Sequence, residues 1–258
     1  MSFPNYPDKL NKESLLQPGA MFAFRQSIGQ IKKISPPEGL IVCLQRGLPE
    51  RMRWKIPIQR AGRMMADLYL IKKSRGRVAV LTTLGEGSPM ISSLTEELIA
   101  FGVKRIISIV WGGGLQPGLK SGDIVVCDRA VRDEGTSHHY LTAGKFVHAS
   151  PSMVDKLKKA IETRGRTCTV GTTWTTDAPY RETREEVMQY QSEGVLTVEM
   201  EIASLFAVAQ VRNVQIVSAI AVGDSLAELH WQLPTDFQSI ERSLEFLYST
   251  AVEILSES

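Results

Sequence analysis

The chain has 258 residues, of which 43% are hydrophobic, and its 30 Lys and Arg offset 28 Asp and Glu to leave a net charge of +2. A balance so close to neutral excludes a nucleic-acid binder held by bulk electrostatics, and the apolar share supports a sizeable core. No apolar stretch reaches bilayer-spanning length, the N-terminus has no signal-peptide core, and three cysteines without a CxxC pair fit buried thiols, so a cytoplasmic protein with no membrane partner is expected.

Residues 1–38 are mixed in character and are read as an N-terminal extension, with "PPEG" at 36–39 launching the first core strand of a single domain over 39–258. Compact apolar runs predict buried strands at 40–44 and 78–83. The spacing of Leu94, Leu98 and Phe101 predicts a helix over 93–102, closed by a glycine. Strands follow at 105–111 and 123–128, an amphipathic helix at 152–165 and a strand at 167–173. The short strand 195–198 leads into a helix over 201–211. A strand at 215–222 and a terminal helix at 236–255 complete the pattern. Such alternation predicts an α/β fold around a largely parallel or mixed sheet. Ligands in these folds bind outside the carboxyl ends of the strands.

The strand ends are accordingly where chemistry is sought. "RGLPERM" (46–52) is either an anion cradle, with Gly47 allowing close backbone approach and Arg51 offering a planar fork, or a turn with a surface arginine. "LGEGSP" (84–89) is a turn whose glycines would let the backbone approach a ligand, or simply a tight turn. Three consecutive glycines in "WGGGLQPG" (111–118) require a backbone thin on one side, against a ligand or another chain. His138 and His139 are adjacent and would face opposite ways in a strand, and no metal-ligand spacing exists among the four histidines. Asp224 ends the apolar run 216–222 and reads equally as a general acid or as a helix N-cap. In "VEMEIASLFAVA" (198–209), Glu199 and Glu201 flank Met200 before a helix apolar nearly all round. A carboxylate there is favoured by the helix dipole but still needs donors, which two vicinal sugar hydroxyls would supply.

Taken together, "GLPERM", "GEGSP", "GGLQPGLKSGDIVV", "VRDEGTS", "VEME" and "VGD" resemble, over roughly residues 39–255, the purine nucleoside phosphorylase and uridine phosphorylase superfamily. The resemblance implies a three-layer α/β sandwich around a mixed, partly barrel-like central sheet. It implies cleavage of a nucleoside N-glycosidic bond by phosphorolysis, with purines favoured as in purine salvage. No cofactor is implied, only inorganic phosphate as co-substrate, and no metal. Glu199, Met200 and Glu201 would hold the ribose, with Glu201 gripping its 2′ and 3′ hydroxyls. Gly47 and Arg51 would hold phosphate, together with the positions of Ser108 and Trp111. Asp224 would protonate the purine, and Tyr180 would lie against the base. Sites shared between subunits imply a homo-oligomer, with a dimer as the minimum unit and a hexamer as a further possibility, and with Arg60 or Arg63 lent to a neighbour.

The chain also departs from the family pattern. Ser108 stands where the family carries Arg, Trp111 where it carries Ser or Thr, and Pro179 where "DLFY" has Phe. No histidine precedes His138, and the purine branch's Arg beyond the Asp is missing. Two alternatives therefore stand beside phosphorolysis: a hydrolytic nucleosidase of the same superfamily, and a catalytically weak nucleoside-binding protein.

Overall fold

The computed structural model describes residues 6, 8–83 and 85–257, with the side chain of Thr83 also outside the description. The start of the extension, the first residue of the 84–89 turn and the last residue therefore lie outside the described residues. In chain order the elements are α1 (Pro18–Ser27), β1 (Gly39–Cys43), α2 (Leu48–Arg51), β2 (Ile58–Arg63), β3 (Ala66–Ile71), β4 (Val78–Thr83), α3 (Ser88–Phe101), β5 (Arg105–Gly114) and β6 (Ile124–Asp133). They continue with β7 (Phe146–His148), α4 (Pro151–Thr163), β8 (Thr169–Thr176), α5 (Arg184–Ser192), β9 (Thr197–Glu199), α6 (Ile202–Arg212), β10 (Gln215–Ser225) and α7 (Phe237–Ser256).

All ten strands join one mixed sheet. Part of it closes on itself as a five-stranded barrel in the order β5, β10, β6, β8, β9 and back to β5. The rest runs outward from β5 through β1, β4, β3 and β2. The predicted α/β class with a mixed, partly barrel-like sheet between helices is the fold observed. Helix α7 packs on β1, β4, β5 and β10, and α4 packs beside it. Helix α6 lies against β6, β8 and β10 and continues through α3 to α1.

Strand β5 joins the two parts of the sheet. Its first half pairs with β1, up to Ile109 opposite Cys43, while Gly113 and Gly114 pair instead with Val198 and Thr197 of β9. Where β1 ends and β9 begins, the sheet splits and a cavity opens. The glycine run serves this closure: a Cβ on Gly112 would lie 2.7 Å from the Val198 carbonyl oxygen. The chain's own backbone is thus one close neighbour of the run, and Gly112 and Gly113 also line the cavity, where a thin backbone leaves room for a ligand.

Residues 1–38 were expected as an extension, but their described part is built into the same core. Phe22 of α1 is buried and stacks on Phe101 of α3, and Arg25 forms a two-pronged ion pair with Glu97. The hairpin β2–β3 and helix α5 have no counterpart among the predicted elements. Strand β2 shows why, because only Ala61 of its six residues is buried.

Candidate active site

The cavity has a volume of about 730 Å³ and lies at the carboxyl ends of β1, β5, β9 and β10. Of the expected site residues, Trp111, Tyr180, Glu199, Met200, Glu201 and Asp224 line it, whereas Gly47, Arg51 and Ser108 do not.

Glu199 and Glu201 occupy different environments because the chain turns at Met200. Glu199 faces the start of α6. Its Oε2 accepts the backbone N–H groups of Glu201 (2.6 Å) and Ile202 (2.7 Å), and its Oε1 accepts the Thr175 hydroxyl at 2.5 Å. It thus satisfies donors that a buried helix start leaves without partners. The sequence reading placed Glu199 on the ribose; in the structure three donors within the protein already occupy it.

Glu201 precedes α6 and points the other way. Its Oε1 accepts the Gly87 N–H at 2.6 Å, and among the described residues its second oxygen has no hydrogen-bond partner. Gly87 makes that bond with φ 104°, a conformation for which glycine is suited. The adjacent Ser88 hydroxyl donates to the Met200 carbonyl at 2.8 Å. The "GEGSP" turn therefore buttresses Met200 and Glu201 from behind.

Burial raises the carboxyl pKa of Glu199 to about 8, with the Glu201 charge adding to it and the three hydrogen bonds opposing. Burial likewise raises Glu201 to about 7, opposed by the backbone N–H groups of Gly87 and Met200 and reinforced by the charges of Glu86 and Asp177. Glu182, at the lead-in to α5, is raised to about 7 by burial and by the charges of Asp224 and Glu186. Between the ordinary value of 4.5 and these raised values the folded chain binds more protons than the unfolded one. Their stabilising contribution is complete below about pH 4.5 and is lost as pH rises through about 7–8. The urea midpoint of the ligand-free protein is expected to fall less steeply between pH 5 and pH 8 in Glu201→Gln than in wild type. Equal slopes would show that Glu201 titrates alike in the folded and unfolded chains.

At the other end of the cavity, Asp224 terminates β10 between two indoles. Trp111 Nε1 donates to its Oδ1 at 3.3 Å and Trp231 Nε1 to its Oδ2 at 2.6 Å. Trp231 is carried on the 226–231 loop, which backbone bonds between Ser225 and Gln232 close at its base. Trp111 and Gly223 are linked here: a Cβ at Gly223 would lie 2.0 Å from the Trp111 indole nitrogen. The large residue on β5 therefore demands the small one on β10.

The expected phosphate residues are arranged less favourably. Ser108 is fully buried within β5, and its hydroxyl has no partner among the described residues. It stands two residues short of Val110, the first β5 residue to reach the cavity, so it offers nothing to an anion there. Gly47, with φ 74°, starts the short helix α2, and the Arg51 guanidinium lies 3.6 Å from Glu241 of α7. Tyr180 stands fully exposed at the mouth instead of covering a base inside. Five carboxylates line the cavity (Glu86, Glu182, Glu199, Glu201 and Asp224) against Arg184 and His230.

Glu182 and Trp231 were not singled out from the sequence. The T-x-x-E signature of Thr183 and Glu186, which forms a full capping box at the start of α5, announces that helix. No sequence signal turns Glu182 toward the cavity. "VRDEGTS" has a structural role, with Arg132 donating to Ser137 and to the carbonyls of Thr142 and Gly144, which fastens the loop between β6 and β7.

A strand-end cavity with a buried, half-satisfied carboxylate and a carboxylate clamped between two indoles, on a partly closed mixed sheet, is a small-molecule site. The chain belongs to the phosphorylase superfamily, which it matches over residues 47–251. It is 34% identical over 154 residues to DeoD-type purine nucleoside phosphorylases of Bacillus cereus and Bacillus thuringiensis. Those matches cover 58% of this chain and 64% of each relative's length. Its fold is shared with the uridine phosphorylase of Vibrio fischeri ES114, at a TM-score of 0.74 and 21% identity, over 88% of this chain and 94% of that one. Among the described residues no helix is long and apolar enough to cross a membrane.

Proposed function

We propose that the protein cleaves the N-glycosidic bond of a nucleoside, purine favoured, by phosphorolysis to free base and ribose 1-phosphate. The observation that carries this is Glu201: one oxygen is fixed by Gly87 and the other is left for ligand donors, inside a cavity of nucleoside size. A vicinal diol offers two such donors, and charge-assisted hydrogen bonds to a carboxylate are the strong kind. Met200 gives the sugar an apolar face. As C1′ gains positive character, the nearby carboxylate stabilises it. The phosphorylases among its relatives support phosphate as nucleophile. The anion site is then built from the Gly47 turn, Arg51 and an arginine from a neighbouring subunit, which makes the working unit a homo-oligomer. Arg60 and Arg63 lie exposed on β2 and are suited to that role, although Arg60 is engaged by Asp67 at 2.6 Å within its own chain.

A second reading, hydrolysis, is favoured by the cavity's charge. Five carboxyl groups against Arg184 and His230 give a phosphate dianion little cationic cradle, whereas water needs none. Base release from purine and pyrimidine nucleosides in phosphate-free buffer, with and without added phosphate, separates the two. Phosphorolysis predicts that release requires phosphate and yields ribose 1-phosphate. Equal release without phosphate makes the enzyme a nucleosidase, and no release from any nucleoside overturns both.

A further inference from the structure

We propose that Glu182 is the residue that protonates the departing base, and that Asp224 remains a fixed hydrogen-bond acceptor beside it. This rests on the glycosidic-bond cleavage argued above.

Two carboxyls line the cavity at the end away from Glu201, and their surroundings differ. Asp224 has an indole N–H aimed at each oxygen, from Trp111 and from Trp231. A proton on either oxygen would face a donor instead of a base, so Asp224 must break an indole bond before it can act as an acid. That clamp is built in, since the missing side chain at Gly223 leaves the room that the Trp111 ring occupies. Glu182 has the complementary condition. It is half-buried, lines the same cavity, and among the described residues makes no hydrogen bond or ion pair. Its backbone is held in place because it directly follows the 3-10 turn Pro179–Arg181 and precedes Thr183, whose capping box with Glu186 fixes the start of α5.

The charged groups around Glu182 favour its protonated form. Asp224 faces it from β10 and Glu186 from α5, and these charges add to the effect of burial in raising its pKa to about 7. Arg184 and His230 are the cavity's basic groups. Two neighbouring carboxyls in such different environments divide into acid and acceptor roles. In the step itself the C1′–N bond breaks with its electron pair going to the base, and the Glu182 proton moves to a base ring nitrogen. The oxygen of phosphate or water forms the new bond to C1′ and gives up its proton to solvent, and the Glu182 carboxylate takes a proton back from solvent before the next turnover.

The test measures kcat/KM from pH 5 to pH 9 for a purine nucleoside and for its N7-methylated counterpart, whose base departs without needing a proton. Glu182→Gln is expected to lose about 10²- to 10⁴-fold on the unmethylated substrate. On the methylated one it should stay within about 3-fold, because proton donation is no longer required. The wild-type fall in rate above about pH 7 should vanish in the variant. Equal loss on both substrates, or no loss with the alkaline fall intact, overturns the proposal. Should Glu182→Gln fail to fold, Glu182→Asp retains an acid and is expected to shift the alkaline fall, and an unmoved fall overturns the assignment. Wild-type protein that releases neither base overturns the glycosidic-bond reading itself, and this proposal with it.

Discussion

Replacing Glu201 with alanine is expected to lower kcat/KM for a ribonucleoside by about 10³-fold while leaving the protein folded. The magnitude follows from two charge-assisted hydrogen bonds to the sugar, each contributing about 1.5–3 kcal/mol, where about 1.4 kcal/mol is tenfold in rate. The fold should survive because, among the described residues, the variant orphans the Gly87 N–H alone of the donors bonded to the Glu201 side chain, and one orphaned buried donor costs about 1–3 kcal/mol, partly offset by removing a carboxyl that burial disfavours. Steady-state kinetics on a ribonucleoside and its 2′-deoxy counterpart, together with a thermal melt, check the result. The variant should lose most of the discrimination between the two sugars. A variant with wild-type rates, or one equally impaired on both sugars, would refute the diol assignment.

Glu199→Ala is expected to behave in the opposite manner, as a stability variant. It removes the acceptor for two backbone N–H groups at the start of α6 and for the Thr175 hydroxyl, all in buried surroundings. Each orphaned donor costs about 1–3 kcal/mol, partly offset by removing a carboxyl that burial disfavours. A net loss of about 3 kcal/mol corresponds to a fall in Tm of roughly 6–12 °C for a chain of this size. Glu199→Gln keeps an acceptor oxygen toward the two N–H groups and should recover more than half of the loss. Wild-type Tm with abolished turnover would mean that Glu199 touches the ligand after all, as its place in the sequence suggested.

The contrast between these glutamates separates what was legible in the chain from what was not. Both are acidic residues ahead of an apolar helix, and the sequence supports the inference that something must satisfy them. Which one faces the helix and which the cavity depends on the turn at Met200. Docking of α6 and the bond from Ser88 to the Met200 carbonyl set that turn. A residue spacing of two cannot encode it. The same holds for Asp224. Its position at a strand end is local information, but its clamp comes from Trp111, 113 positions earlier in the chain, and from Trp231 on the following loop.

What the sequence determined by itself is the framework. Runs such as Val78–Thr83 read as buried strands because a continuous apolar segment has few other places to go, and β4 occupies those residues. The amphipathic period of 236–255 likewise located α7 to within a residue at each end. The tertiary structure decided the closure of the barrel, because β5 changes partner from β1 to β9 only when distant strands meet there. It also decided the fate of the half-exposed hairpin β2–β3, which is held by pairing to β4. Above all it decided the chemistry of the carboxylates. Periodicity records which residues are buried, whereas the role of a buried charge is set by the donors around it, and those arrive from elsewhere in the chain.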